Sequence, residues 1–271
     1  MININCCKQL YSWLQHLHAK RVELEALKSA LKTNPLNLLG ARSLKQSVID
    51  FSNEIYEAKC ELGLRIELSK QLIKDKQFYN EHKLESFAAA LPDEVVVSPA
   101  GLALIKDFEK QGFNMATWFP SLSEQAKTSN SQMCATLATG SLPSLPTDES
   151  GFKMDAASRS MRREPYVLFF SSERTFIELL KREYYEAEEL CHHNGLSMMS
   201  LREYLVLHCR EFKESHVHDE RVDWLCDYAD EHQLCVLWDQ SRQRLRIDND
   251  YPDSGACLRF AKIVRLSKLI S

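Results

Sequence analysis

HVHDERVDWLCDYADEHQLCVLWDQSRQRLRIDN, residues 216–249, is the stretch from which the fold is predicted. In its first part, apolar residues recur at helical spacing: Val222, Leu225, Cys226 and Ala229. This spacing predicts a helix over residues 218–232. Two apolar runs then flank the polar sequence DQSRQ, which predicts paired strands at residues 234–238 and 244–248. The segment is therefore expected to form a helix followed directly by a two-stranded ribbon.

Residues 166–215 supply the elements expected before this segment. The run YVLFF, residues 166–170, predicts a strand, and Ser171 begins a predicted helix that ends at Asn194-Gly195. Ser200 is expected to cap a further helix. A strand, three helices and a two-stranded wing follow the order of a winged-helix domain, which we expect over residues 166–271. The predicted fold class is mainly α with a small β wing.

The predicted helix 218–232 has the wrong charge for reading DNA. It carries six acidic residues and one basic residue, a net charge of −5, which would oppose contact with phosphates. A helical wheel places a set of acidic and aromatic residues on its outward face: Glu220, Trp224, Asp227 and Glu231, with Tyr228 at the flank. We expect this face to bind a protein partner with a basic surface. The alternative is that the chain's own C-terminal helix or linker covers Trp224.

Positive charge is concentrated on the predicted wing. Arg242, Arg244 and Arg246 alternate with other residues, so one face of the strand would carry all three guanidinium groups. This pattern predicts a non-specific phosphate contact. Pairing with the protein's own carboxylates is an equally open interpretation.

The N-terminal region, residues 1–120, predicts an antiparallel helical hairpin and a small helical part. One row of apolar residues runs along each helix: Leu10, Leu14, Leu17, Leu24 and Leu31, then Leu44, Val48, Phe51, Ile55, Ala58 and Leu62. Spacings of three, four and seven are typical of a coiled-coil contact. The hairpin either packs on its own domain or docks a partner. Residues 121–165 are rich in Ser, Thr and Pro, which predicts a flexible linker.

Bulk composition indicates a soluble intracellular protein. The 271 residues include 34 basic and 38 acidic side chains, a net charge of −4 that gives no overall footprint for nucleic acid or membrane. Nine cysteines without a secretory signal fit a reduced cytoplasm better than a disulfide framework. No run of 18 apolar residues is present, so no membrane contact is expected.

Catalytic and metal-binding motifs are not found in the sequence. There is no P-loop, no dinucleotide-binding glycine pattern, no nucleophile elbow and no H-E-x-x-H. Histidines and cysteines are dense between residues 191 and 235 but lack a familiar zinc spacing. The first candidates for a zinc site would be four residues: His193, His216, His218 and Cys235. We expect no enzyme activity, no cofactor and no metal.

The predicted winged helix, its acidic helix and the helical hairpin loosely resemble the winged-helix accessory (kite) subunits of bacterial SMC-type complexes. That resemblance implies an interaction subunit of a larger assembly, a coiled-coil ATPase as partner, and a role in DNA maintenance or defence against foreign DNA. Two alternatives stay open at this point. One is a DNA-binding regulator that uses the basic wing, and the other is a metal-dependent hydrolase that uses the histidines and cysteines.

Overall fold

The computed structural model describes residues 4–33, 38–137, 153–171, 191, 193, 195–215, 223–229, 232–239, 241, 244–248 and 260–270. These residues form two compact units. The first unit contains residues 1–70 and 93–98, and the second contains residues 71–92 and 99–271. The described chain is mainly α with two small antiparallel sheets, so the predicted fold class is confirmed at that level. Among the described helices, none is long and apolar enough to cross a membrane.

The helices and strands follow one another in this order. The helical part of the chain begins with α1 (Ile4–Thr33), α2 (Leu38–Glu81), α3 (Glu85–Ala90) and α4 (Pro99–Lys110). Next come β1 (Met115–Phe119), α5 (Leu122–Gln125), α6 (Asn130–Leu137), β2 (Lys153–Met154), α7 (Ala156–Met161) and β3 (Tyr166–Phe170). The chain continues with β4 (Ser197–Met198), α8 (Leu201–Ser215), β5 (Asp223–Ala229), β6 (His232–Asp239), β7 (Arg244–Asp248), β8 (Phe260–Arg265) and α9 (Leu266–Ile270).

Each sheet has four strands, in the orders β1-β3-β8-β4 and β2-β5-β6-β7. The predicted strand YVLFF is confirmed as β3, and all five of its residues are buried. The predicted pairing of the two C-terminal strands is confirmed as well, since Val236 lies opposite Ile247 and Trp238 opposite Leu245. The strand β1 is an edge strand, and side chains of α2 cover it. Asp75 accepts the Trp118 N–H at 2.6 Å, and the Tyr79 hydroxyl donates to the Trp118 carbonyl at 2.7 Å.

The predicted helix 218–232 is wrong. Residues 223–229 form β5, which pairs with β6 on one side and β2 on the other. The physical reason is that Leu225 and Cys226 are adjacent and both fully buried, at a point where the register of β5 against β6 shifts. A strand of this kind lacks the alternation of apolar and polar residues that would have identified it. The described residues therefore do not follow the winged-helix order, and residues 172–190 of the helix predicted to begin at Ser171 lie outside them.

The predicted flexible linker, residues 121–165, is wrong in its described part. It contains α5, α6, β2 and α7, and several of its side chains are buried: Gln125, Thr128, Asn130, Met133, Cys134, Leu137 and Arg162. Asn130 accepts a hydrogen bond from the Arg202 guanidinium at 2.7 Å, which ties α6 to α8. These partners are distant in sequence, so local composition does not reveal them. The two compact units also divide the chain differently from the expected domains 1–120 and 166–271.

Candidate interaction surface

The residues predicted for protein docking do not form an outward helical face. Glu220 and Glu231 lie outside the described residues, and Trp224 and Tyr228 are positions of strand β5, opposite Cys235 and Gln233. Asp227 accepts the main-chain N–H of Leu201 at 2.5 Å, so its carboxylate sits at the N-terminus of α8. Burial raises the pKa of Asp227 to about 6. The prediction of an acidic docking helix is therefore wrong.

A fully buried ion pair lies close to Asp227. The Arg162 guanidinium donates to both oxygens of Glu203, at 2.8 and 2.9 Å, and also to the Met198 carbonyl at 2.9 Å. The Tyr166 hydroxyl donates to Glu203 at 2.5 Å, and the Ser200 N–H donates to the same carboxylate at 2.7 Å. Since Arg162, Tyr166 and Glu203 are all 0 % exposed, this cluster joins α7, β3 and α8 within the core rather than facing a substrate.

The predicted phosphate-binding arginines are only partly described. Arg242 lies outside the described residues, whereas Arg244 and Arg246 are two positions apart on β7, the edge strand of its sheet. Arg246 is exposed and Leu245 beside it is buried, and the side chain of Arg244 lies outside the described part of the structure. The phosphate contact itself stays a prediction.

Two of the four residues named for zinc, His193 and Cys235, are described, and His193 is exposed. Cys235 is buried within β6, and His216 and His218 lie outside the described residues. No group of three or more histidine, cysteine or acidic side chains with metal-binding geometry occurs in the part of the chain that the structure describes.

The helices α1 and α2 form the predicted hairpin in the first unit. The Lys20 ammonium pairs with Glu54 and lies 4.9 Å above the Phe51 ring centroid, so the two helices are in contact. Lys20 lies 13 residues before the end of α1, and Glu54 lies 16 residues after the start of α2. A parallel pair would need a connection spanning about 40 Å. The five steps from Thr33 to Leu38 reach at most about 18 Å, so the pair is antiparallel.

The contact row of α1 differs from the predicted one at Leu14. Leu24 is buried and Lys20 and Leu27 are half-buried, whereas Leu14 is 53 % exposed. The described contact row of α1 therefore runs through residues 20, 24 and 27, with Lys20 where an apolar residue would normally stand. On α2 the predicted row is confirmed for its described residues, because Ile55 is buried and Val48, Phe51, Ala58 and Leu62 are half-buried.

Large apolar and basic side chains share one broad face of this hairpin. At the 3.5 residues per turn of a coiled-coil contact, residues turned roughly 60–150° in one rotational sense from the contact row lie on the same side of two antiparallel helices. We call this the basic–apolar face, and it comprises Tyr11, Leu14, Arg21, Lys28 and Lys32 of α1 with Ile49, Tyr56, Lys59 and Lys70 of α2. Tyr11 is 63 % exposed and Tyr56 is 69 % exposed. Glu25, which pairs with Lys28 at 2.9 Å, is the acidic residue on this face.

The opposite broad face of the hairpin is acidic. Turning from the contact row in the other rotational sense reaches a set of carboxylates: Glu23 of α1 and Asp50, Glu54, Glu57 and Glu61 of α2. Counting only the ionisable side chains that the structure describes, and leaving out histidine, this face has a net charge of −5, and the basic–apolar face has +4 from five bases and one acid. None of the large apolar side chains described as exposed lies on the acidic face. The hairpin therefore separates both charge and apolar surface between its two sides.

Sequence reasoning missed this surface although the signal is present in the sequence. The residues Ile49, Tyr56 and Gly63 repeat every seven positions beside the contact row of α2, and Tyr11, His18 and Glu25 do so on α1. A second heptad row of this kind, with the acidic residues of α2 between positions 50 and 61 all on one side of that helix, would have revealed both faces. In comparisons with known proteins, the chain matches no protein-family model, no curated protein and no solved structure.

Proposed function

We propose that this protein is a non-enzymatic interaction subunit of a larger assembly and that the basic–apolar face of the hairpin docks its partner. The observation that supports the proposal is the placement of exposed apolar residues. Six of the nine large apolar side chains that are exposed among the described residues belong to the first unit: Tyr11, Leu14, Val22, Ile49, Tyr56 and Val96. Four of these six lie on the basic–apolar face.

Burying the apolar side chains of this face against a partner would contribute appreciable free energy of binding. Burying one large apolar side chain completely contributes roughly 1.5–3 kcal/mol. Tyr11 and Tyr56 are the strongest candidates for anchors, because aromatic residues carry much of the binding free energy at protein interfaces. Exposed apolar residues grouped on one charged face are typical of a protein-binding surface.

A coiled-coil partner is consistent with this geometry. The resemblance to accessory subunits of SMC-type complexes depended on a winged helix, whereas the present proposal depends on the hairpin alone. A coiled-coil ATPase acting in DNA maintenance or defence is the partner class that this resemblance implies. Helices of such a protein would offer rows of apolar residues that can pack along α1 and α2.

Site-specific photo-cross-linking in cells tests the proposal. A photoreactive phenylalanine analogue replaces Tyr56 in one version of the full chain and Glu57 in another, so that adjacent positions report on opposite faces. Position 56 should give a discrete protein adduct, and so should position 14, while position 57 should give much less. Equal adducts at positions 56 and 57, or no adduct at positions 14 and 56, would contradict the proposed docking face.

A further inference from the structure

The chemistry of the basic–apolar face specifies what kind of segment fits it. We infer that the partner segment is an amphipathic helix whose apolar row is flanked by acidic side chains, and that it packs along α1 and α2 as the third helix of a coiled coil. This inference rests on the proposed docking function and adds the secondary structure and charge of the partner.

The spacing of exposed residues favours a helical partner. On α2 the face contains Ile49, Ser52, Tyr56, Lys59 and Gly63, which are separated by three, four, three and four positions. This is the repeat by which one helix contacts another along its length. A β-strand partner would instead need main-chain hydrogen-bonding groups, and those of α1 and α2 are used within the helices. Both helices therefore present a second row suited to a further helix.

Gly63 leaves room for a partner side chain within this row. Apart from its chain neighbours and the adjacent backbone of α2, a Cβ atom placed on Gly63 would meet no heavy atom within 4 Å. Gly63 is exposed and follows Tyr56 by seven positions, so a side chain of the partner helix can approach the α2 backbone there. Glycine in a helix interior costs about 1 kcal/mol relative to alanine, and a partner side chain packed at Gly63 would offset that cost.

The charge of the face selects an acidic partner. Its net charge of +4 would repel the same face of a second copy, so a symmetric face-to-face dimer is disfavoured. If the basic–apolar face docked on the acidic face of a second copy, its apolar side chains would contact a surface on which no large apolar side chain is described as exposed. Acidic rows on the partner would pair with Arg21, Lys28 and Lys59, and such complementarity determines specificity and the rate of association.

An anionic membrane or nucleic acid would also be attracted to the basic residues. The four apolar side chains on the face are spread over two helices and are interrupted by Lys59 and Glu25. A membrane-surface helix normally has a continuous apolar face that enters the lipid. The partner helix is therefore the occupant that accounts for both the apolar and the basic residues.

The test uses the purified full chain and two synthetic four-heptad peptides of equal length. Both peptides have leucine at the contact positions, and one has glutamate at the flanking positions where the other has lysine. Fluorescence anisotropy should show at least tenfold tighter binding of the glutamate peptide, and added salt should weaken it. The double variant Arg21→Glu with Lys59→Glu should bind at least tenfold more weakly than the wild type, whereas the matched acidic-face variant Glu57→Gln should bind within twofold of it.

Several outcomes would overturn the inference. These are equal binding of the two peptides, unchanged binding by the double variant with its helical circular-dichroism signal intact, or preferential binding of phosphatidylglycerol vesicles or duplex DNA over the glutamate peptide. The variant Tyr56→Ser, which keeps every charge, provides a second readout and should also weaken the peptide complex. If the cross-links at positions 14 and 56 form but the glutamate peptide does not bind, the docking function stands and the acidic-helix partner is wrong. If those cross-links are missing, the docking function itself is wrong.

Discussion

Lys83 ends helix α2 in a conformation that suits glycine better. Its φ is 56°, in the left-handed region, and the Leu84 N–H donates to the Tyr79 carbonyl at 2.8 Å just beyond it. This is the geometry in which many helices terminate, usually with glycine at the left-handed position. A lysine there costs roughly 1 kcal/mol because its Cβ crowds the following carbonyl.

The substitution Lys83→Gly should therefore stabilise the protein. We expect the free energy of unfolding to rise by about 0.5–1 kcal/mol, measured by urea denaturation followed by circular dichroism. Lys83→Ala is the matched control, because alanine retains the Cβ and should leave the stability nearly unchanged. A stabilisation by alanine as large as that by glycine would show that the conformation at position 83 is not the cause.

Asp227 makes the folded protein less stable as the pH rises, whereas a carboxylate with a lowered pKa makes it more stable. Its pKa is raised from 3.8 to about 6, so the folded state binds this proton more tightly than the unfolded state. Stability from this residue is therefore highest below pH 4 and decreases as the pH rises through about 6. Burial is the main cause of the raised pKa, and Glu203 raises it further. The Leu201 N–H, Arg162 and Arg202 act in the opposite direction and lower it.

Asp227→Asn should remove this loss of stability. The asparagine side-chain oxygen can still accept the Leu201 N–H but carries no charge, so the variant should match or exceed the wild-type stability at pH 7, by up to about 3 kcal/mol. Thermal unfolding of both proteins between pH 4 and pH 7 measures the effect. If the wild type gained stability relative to Asp227→Asn as the pH rose from 4 to 7, the raised pKa would be contradicted.

Helices with long regular repeats were predictable from the sequence, and a short strand with adjacent buried residues and a shift in register was not. The helical hairpin was predicted because its apolar residues recur every three or four positions over many turns. Strand β5 has only seven residues, and its adjacent Leu225 and Cys226 are both buried, so its apolar residues also fit a helical wheel. The Ser200 cap was predicted, and the reciprocal bonds between Ser200 and Glu203 confirm it.

The buried pair of Arg162 and Glu203 joins elements that the sequence could not connect. It brings α7 together with α8 although the residues are 41 positions apart. Removing one partner of such a pair leaves a buried charge without compensation, and this typically costs about 3–5 kcal/mol.

We expect Arg162→Met to lower the free energy of unfolding by about that amount, measured by denaturant titration. Lys28→Ala removes one side of the exposed Lys28–Glu25 pair and should change stability by less than about 0.5 kcal/mol. Similar effects of both substitutions would indicate that Arg162 and Glu203 are solvated rather than buried together.

At the scale of the whole molecule, composition alone misassigned residues 121–137 and 153–165, the described parts of the predicted linker. Their Ser, Thr and Pro content predicted a flexible linker, yet Gln125 is fully buried and donates to Pro120 at 2.7 Å and to Tyr166 at 3.0 Å. Polar residues of this kind become part of a core only through partners distant in sequence. The candidate surface was missed for a related reason, since Leu14 was assigned to the contact between α1 and α2 and is exposed instead.

The central claim is that the hairpin, rather than the second unit, binds the partner. The most direct measurement is the affinity of the full chain for the protein cross-linked at position 56, compared between Tyr56→Ser and Met115→Ser. Met115 is a matched control because it is a large exposed apolar residue of the second unit. The account predicts at least tenfold weaker binding for Tyr56→Ser and wild-type binding for Met115→Ser. Wild-type affinity of Tyr56→Ser, or an equal loss in Met115→Ser, would contradict it.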